Sequence, residues 1–90
     1  MQLLCRNKVA DFAIWWAVFE SHAPAHREAG LELLRLWLSA DDPNEVFFLF
    51  SVSDRSKAEA FMNTPLAEEG ALEAGVIDGD FQFIEEVERY

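Results

Sequence analysis

Two histidines four residues apart, His22 and His26 in the stretch "HAPAH", are the side chains of this sequence best suited to chemistry. An imidazole titrates near neutrality and can take a proton from a phenolic or enolisable substrate. Two imidazoles one helical turn apart can also share a metal ion. Metal is the weaker reading here. No Asp or Glu is woven into the motif, no cysteine cluster stands nearby, and Pro24 disturbs the turn that would align the rings. A third ligand would have to come from elsewhere, with Glu28 and Glu45 as candidates. No metal site is therefore expected. His22 is the candidate catalytic acid–base residue, and His26 is placed nearer the rim. The competing reading of His22 is a ring packed under a sheet with one nitrogen bonded to a backbone carbonyl.

The segment that must position these rings turns helical from Ala10. At about 100° per residue, Phe12, Trp15, Phe19, His22 and His26 fall within a sector of roughly 80°. Ala13, Ala17 and Glu20 lie away from it. One face is buried, and both histidines extend it. Pro24 either bends this helix near His22 or opens a second short helix, where its missing N–H costs nothing. Gly30 supplies the stop.

"LELLRLWLSA" (31–40) and "EVFFLFSV" (45–52) read as strands joined by "DDPN", which makes an antiparallel hairpin. Val46, Phe48, Phe50 and Val52 share one face, with Phe47 and Leu49 on the other. Leu34, Leu36 and Leu38 alternate against Leu33 and Trp37. Both faces of such a sheet call for cover, whereas a sheet with one wet face would alternate apolar with polar. Before the helical region, "MQLLC" reads as a short first strand.

Beyond the hairpin, Ser53 or Asp54 caps a helix that buries Ala58, Phe61 and Met62. Thr64, Pro65 and Gly75 bracket a further helical stretch that Gly70 is expected to weaken or split. "DGD" (78–80) is expected to turn the chain into a last strand carrying Phe81, Phe83 and Val87 on one face. The order is β-α-β-β-α-β. This is a ferredoxin-like α+β fold with four antiparallel strands and helices on one face, one domain over residues 1–90. Aromatic stripes at these spacings most often build a core, but Trp15 and Phe48 are placed to wall a pocket for a flat ligand.

Composition narrows the partners. Seventeen Asp and Glu against seven Lys and Arg give a formal charge of −10, which repels nucleic acid and anionic membrane alike. Cys5 is the one cysteine, so no internal disulfide or zinc cluster can form, and a reducing cytoplasm fits. Apolar residues make up 51% of a chain with three Trp and eight Phe, more than so small a core easily hides. A homodimer, with a second copy on the free sheet face, answers that excess. No nucleophile elbow or glycine-rich phosphate loop is present.

"DFAIWWAVFESHAPAHREAGL" and "ADDPNEVFFLFSVSDRSKAEAFMNTPLAEEGALEAGV" together resemble the small dimeric α/β-barrel proteins related to the antibiotic-biosynthesis monooxygenases. The resemblance spans most of the chain. It implies a dimeric α/β barrel with a pocket between each subunit's helices and its sheet. In the active monooxygenases such a pocket oxidises polycyclic phenols with oxygen and no bound cofactor. Trp15, Phe19 and His22 match positions of the pocket-facing helix in the similar sequences. The resulting expectation is a cytoplasmic homodimer that binds a small apolar, aromatic or polyketide-like molecule and oxidises or isomerises it without a cofactor. Its substrate-binding residues are Trp15, Phe19, His26 and Phe48. The competing expectation is a non-catalytic ligand sensor or accessory dimer.

Overall fold

Leu3, Cys5, Asn7 and Val9 fall on one face of the first strand, and the three apolar members of that set are buried. In the computed structural model, which describes residues 1–89, the elements follow one another as β1 (Gln2–Val9), α1 (Phe12–Ser21), α2 (Ala23–Glu28), β2 (Leu31–Leu38), β3 (Glu45–Val52), α3 (Arg55–Met62), α4 (Pro65–Glu73) and β4 (Val76–Ile84). The order is β-α-β-β-α-β, with each crossover made of two helices. The strands form one antiparallel sheet in the order β2-β3-β1-β4, the ferredoxin-like arrangement.

Local chemistry starts and stops the helices where they are needed. Asp11 caps α1 by accepting from the Ile14 N–H at 3.1 Å, and Asp54 caps α3 from Lys57 at the same distance. Thr64 caps α4 from Ala67 at 3.3 Å, with Pro65 at its first position. Each such cap contributes on the order of 1 kcal/mol. Pro24 opens α2, and the break falls at His22. The His22 N–H reaches the Val18 and Phe19 carbonyls, while its own carbonyl accepts from His26 at 3.0 Å. The bend therefore strands none of these backbone groups. Gly30 and Gly75 follow their helices at φ 76° and 73°, the left-handed conformation that glycine adopts without a Cβ penalty.

Helices and sheet meet around Trp15, which is 2% exposed and is packed among Phe12, Trp16, Phe19 and Phe48. Leu3, Val9 and Val46 complete the most deeply buried set. Ala58 of α3 is fully buried, and its small side chain lets that helix lie close to the core.

Several local expectations give way. β1 continues to Val9, past the polar run that hid it, because Arg6 and Lys8 point to the far face. "DGD" is not a turn but the middle of β4. Asp78 and Asp80 sit opposite Lys8 and Arg6, and both accept hydrogen bonds from Arg6. Gly79 faces the helices, opposite Asn7. A register shift between Leu33 and Arg35 leaves Leu34 without a partner across the hairpin, the signature of a bulge. That bulge puts Leu33, not Leu34, on the same face as Leu36 and Leu38. Val87 lies beyond β4 and is 98% exposed, so it extends no apolar strand face.

The far face of the sheet is also less apolar than the alternation implies. Leu4, Trp37, Phe47 and Leu49 lie on it, but so do Arg6, Lys8, Glu32, Arg35, Glu45, Asp78 and Asp80. Arg6 binds Asp78 at 2.9 Å, Asp80 at 3.0 Å and Glu45 at 3.3 Å, and Lys8 pairs with Asp42. Asp78 and Asp80 hold the Arg6 guanidinium above its usual range, and Arg6 holds Asp78 below the usual carboxylate range. Among the described residues no helix is long and apolar enough to cross a membrane.

Candidate functional site

Between the helices and the sheet lies a cavity of about 350 Å³, at the small end of the range typical of ligand pockets. Its floor is made by buried side chains, chiefly Trp15 of α1, Leu3 and Cys5 of β1, and Phe48 and Phe50 of β3. Its exposed lining residues are Glu68, Ala71, Gly79, Asp80 and Phe81, which mark the open side between α4 and β4. The interior is an aromatic cluster. Phe19 stacks on Trp15 at 4.8 Å and on Phe50 at 5.9 Å, and meets Phe48 edge-on at 5.4 Å.

The space exists because α4 presents small residues to it. Ala67, Gly70, Ala71 and Ala74 recur at helical spacing and line the cavity on the side facing the aromatic cluster. Gly70 is the tightest of them. A Cβ there would stand 3.1 Å from His22 Cε1, so the missing side chain lets α4 approach the ring. This close approach accounts for a glycine inside a helix that runs unbroken from Pro65 to Glu73, despite its intrinsic cost of about 1 kcal/mol relative to alanine.

Both histidines line the cavity, but not as their order in the sequence suggests. His26 is the more enclosed ring. It sits 4.9 Å from Phe19, 5.3 Å from Phe50 and 5.7 Å from Phe61. Burial, helped by the neighbouring His22, lowers its pKa from 6.5 to about 4, so the imidazole is neutral at physiological pH. His26 also lines a second groove on the β2 side, and so stands in the wall shared by the two spaces. The two imidazole centroids are 6.5 Å apart. Among the described residues neither ring has a hydrogen-bond partner, and no group of three His, Cys, Asp or Glu side chains comes together to hold a metal ion. Since no buried polar side-chain atom of the described residues is left without a partner, the imidazole nitrogens open onto accessible space. The backbone-carbonyl anchor considered for His22 is not formed.

Trp15, Phe19, His22, His26 and Phe48, singled out from the sequence, thus surround one space. Sequence reasoning missed Asn7, Gly70 and Phe61 as lining residues. Asn7 is the most informative, being a polar residue on the otherwise apolar inward face of β1. Its hydrogen-bond partners fix its amide orientation: the oxygen accepts from the Trp15 indole N–H at 3.1 Å, and the nitrogen donates to the Arg6 carbonyl at 2.9 Å. The small-residue stripe of α4 was legible as a pattern but has no meaning until the opposing aromatic wall is known. Cys5, beside Asn7's end of the floor, is no nucleophile. Burial, together with the Asp80 carboxylate, pushes its thiol up to about 12.

The chain matches no family model and no curated protein. Solved structures match it along nearly its whole length. One, described as an antibiotic biosynthesis monooxygenase, has a TM-score of 0.68 at 17% identity, covering 97% of this chain and 98% of that one. A second, from Bordetella bronchiseptica and provisionally assigned the same description, has a TM-score of 0.78 at 14% identity, covering 96% and 95%. A third, from Caulobacter crescentus and likewise provisionally assigned, has a TM-score of 0.72 at 16% identity, covering 97% and 89%. At these identities the likeness is one of fold. The fold is the one implied by the resemblance of the helical and hairpin segments.

Proposed function

We propose that this small monooxygenase-fold protein is a cytoplasmic homodimer that binds a small aromatic or polyketide-like molecule in the cavity beneath its helices, without a bound cofactor. The observation that carries the reading is the cavity itself, walled by Trp15, Phe19, Phe48 and Phe50 and supplied with two imidazoles that none of the described residues hydrogen-bonds. Flat aromatic walls recognise a ring, and a few polar groups fix its orientation. The dimer rests on the uncovered sheet face, where Trp37 is 46% exposed and Leu4 40% exposed beside Phe47 and Leu49.

The chemistry that fits is proton transfer from a phenol or enol to His22, preparing an electron-rich ring for oxidation by oxygen or for isomerisation. His26, neutral and enclosed, serves as hydrogen-bond partner to the same ligand. A second reading, a ligand sensor or accessory protein without catalysis, is favoured by one specific feature. A general base is ordinarily oriented by a third group, and neither imidazole has one among the described residues.

The test of the binding reading is a titration of the purified protein with 2-naphthol, comparing wild type with His22→Ala and Phe19→Ala. Saturable binding that weakens several-fold in both variants, with the subunit number unchanged, is the expected result. Wild-type protein that takes up no naphthol would remove the reading.

A further inference from the structure

The cavity's lining holds no Lys or Arg. The seven cations of the chain all lie elsewhere. Arg6, Lys8 and Arg35 belong to the far face of the sheet. Arg55 lies over the Phe83 ring, at 4.5 Å from its centroid, and is paired with Glu59. Arg27, Lys57 and Arg89 are exposed and do not line this space.

Two acidic residues border it on the open side: Glu68 stands on α4, whereas the Asp80 carboxylate points to the far face of the sheet and binds Arg6 there. Arg6 is shared with Asp78 and Glu45 as well, so this far-face cluster is net negative and supplies no free cation to the cavity. The influence of Asp80 extends to the floor, where its charge disfavours a thiolate at Cys5. Glu68 has no ion-pair partner among the described residues.

We propose that the cavity selects its ligand by charge, admitting uncharged or cationic aromatic molecules and rejecting aromatic carboxylates, phosphates and other anions. The inference rests on the ligand-binding reading above and narrows it to a substrate class. An anion entering this space would shed its water against aromatic faces with no cation to receive it, and would pass Glu68 on the way. A hydroxyl group instead finds two imidazoles with free nitrogens. An ammonium group finds the negative faces of Trp15, Phe19 and Phe50, with Glu68 at the opening.

The test is calorimetric titration, at pH 8 and low salt, with three probes built on one ring: 2-naphthylmethanol, 2-naphthylmethylamine and 2-naphthoate. The alcohol and the amine are expected to bind. The carboxylate is expected to bind at least about tenfold more weakly than the alcohol, because its charge is left unpaired. Glu68→Lys, an exposed position on α4 that leaves the floor untouched, is expected to bring the carboxylate within a few-fold of the alcohol. A carboxylate that binds wild type as tightly as the alcohol overturns the charge rule and leaves ligand binding standing. Failure of all three probes overturns ligand binding and the charge rule together. A Glu68→Lys protein with no gain for the carboxylate overturns selection by charge at this opening.

Discussion

Gly70 and His22 meet across the gap between α4 and the α1–α2 junction, so closely that a methyl group on residue 70 would come within 3.1 Å of the imidazole. Two effects oppose each other in Gly70→Ala. Alanine in a helix interior is favoured over glycine by about 1 kcal/mol, while the new methyl pushes against a ring that is only partly enclosed. The helix gain should dominate. Thermal unfolding is expected at an unchanged or slightly higher temperature, while binding of 2-naphthol weakens because His22 has moved. A clearly lower melting temperature would show that the ring cannot yield.

The Asn7–Trp15 bond ties β1 to α1 at the cavity floor. Asn7→Ala leaves the buried indole N–H without its acceptor, a loss of about 1–3 kcal/mol. Trp15→Ala removes the central side chain of the core and is expected to cost about 3–5 kcal/mol. Urea denaturation of the two variants should rank them in that order. Asn7→Ala with wild-type stability would mean that another acceptor serves the indole.

Gly79 repeats the theme from the opposite strand. A Cβ there would stand 2.7 Å from the Asn7 amide and 3.0 Å from the Arg6 carbonyl. Gly79→Ala must displace one or the other, with an expected loss of about 1–3 kcal/mol through overpacking. Asn7→Ala should relieve part of that loss, so a double-mutant cycle should give a combined loss smaller than the sum of the singles. Simple additivity would place the clash elsewhere.

His26 makes stability depend on pH in a definite direction. Its folded pKa of about 4 lies below the ordinary 6.5, so between these values the unfolded chain binds the additional proton. The stability it contributes is fully present above pH 6.5 and is lost as pH falls toward 4. The slope is at most about 1.4 kcal/mol per pH unit, less to the extent that solvent reaches the ring. Asp42 and Asp78, both held low by their cationic partners, add their own losses only below the ordinary carboxylate range. Unfolding free energies of wild type and His26→Phe at pH 7.0 and 5.0 should show a smaller fall in the variant; equal falls would assign the effect to other groups.

Trp37 projects from the uncovered sheet face. If a second copy covers that face, Trp37→Glu buries an unpaired charge at the junction and should convert dimer to monomer in sedimentation measurements. The single chain's core does not depend on this exposed position, so far-ultraviolet circular dichroism should stay native-like. A variant that sediments like wild type would place any dimer contact elsewhere.

Much of the architecture was legible because local rules agreed with each other. Pro24, Pro65, Gly30 and Gly75 punctuate the helices where the sequence places them, and "DDPN" joins the hairpin strands. The failures share one cause, that long-range partners can reverse a local preference. "DGD" carries turn residues, yet Arg6 on the neighbouring strand holds both aspartates in an extended strand. Asn7 lies past the "MQLLC" expected as the first strand, and its place in β1 makes sense only with the indole that satisfies it. Leu34 breaks the alternation of β2 at a bulge that its own sequence does not announce. At the site, the helical sector brought Trp15, Phe19, His22 and His26 together on one face, but not the depth of each ring. Depth is set by Phe50 and Phe61 from other elements, which enclose His26 rather than His22.

The most direct measurement is native mass spectrometry of protein freshly purified under mild conditions, which weighs the assembly and anything small bound inside it. Two copies of the 10.3 kDa chain with an additional small-molecule mass, released on gentle activation, are the expected result. A bare single chain, with no mass gained on incubation with 2-naphthol, would contradict both the paired sheets and the occupied cavity.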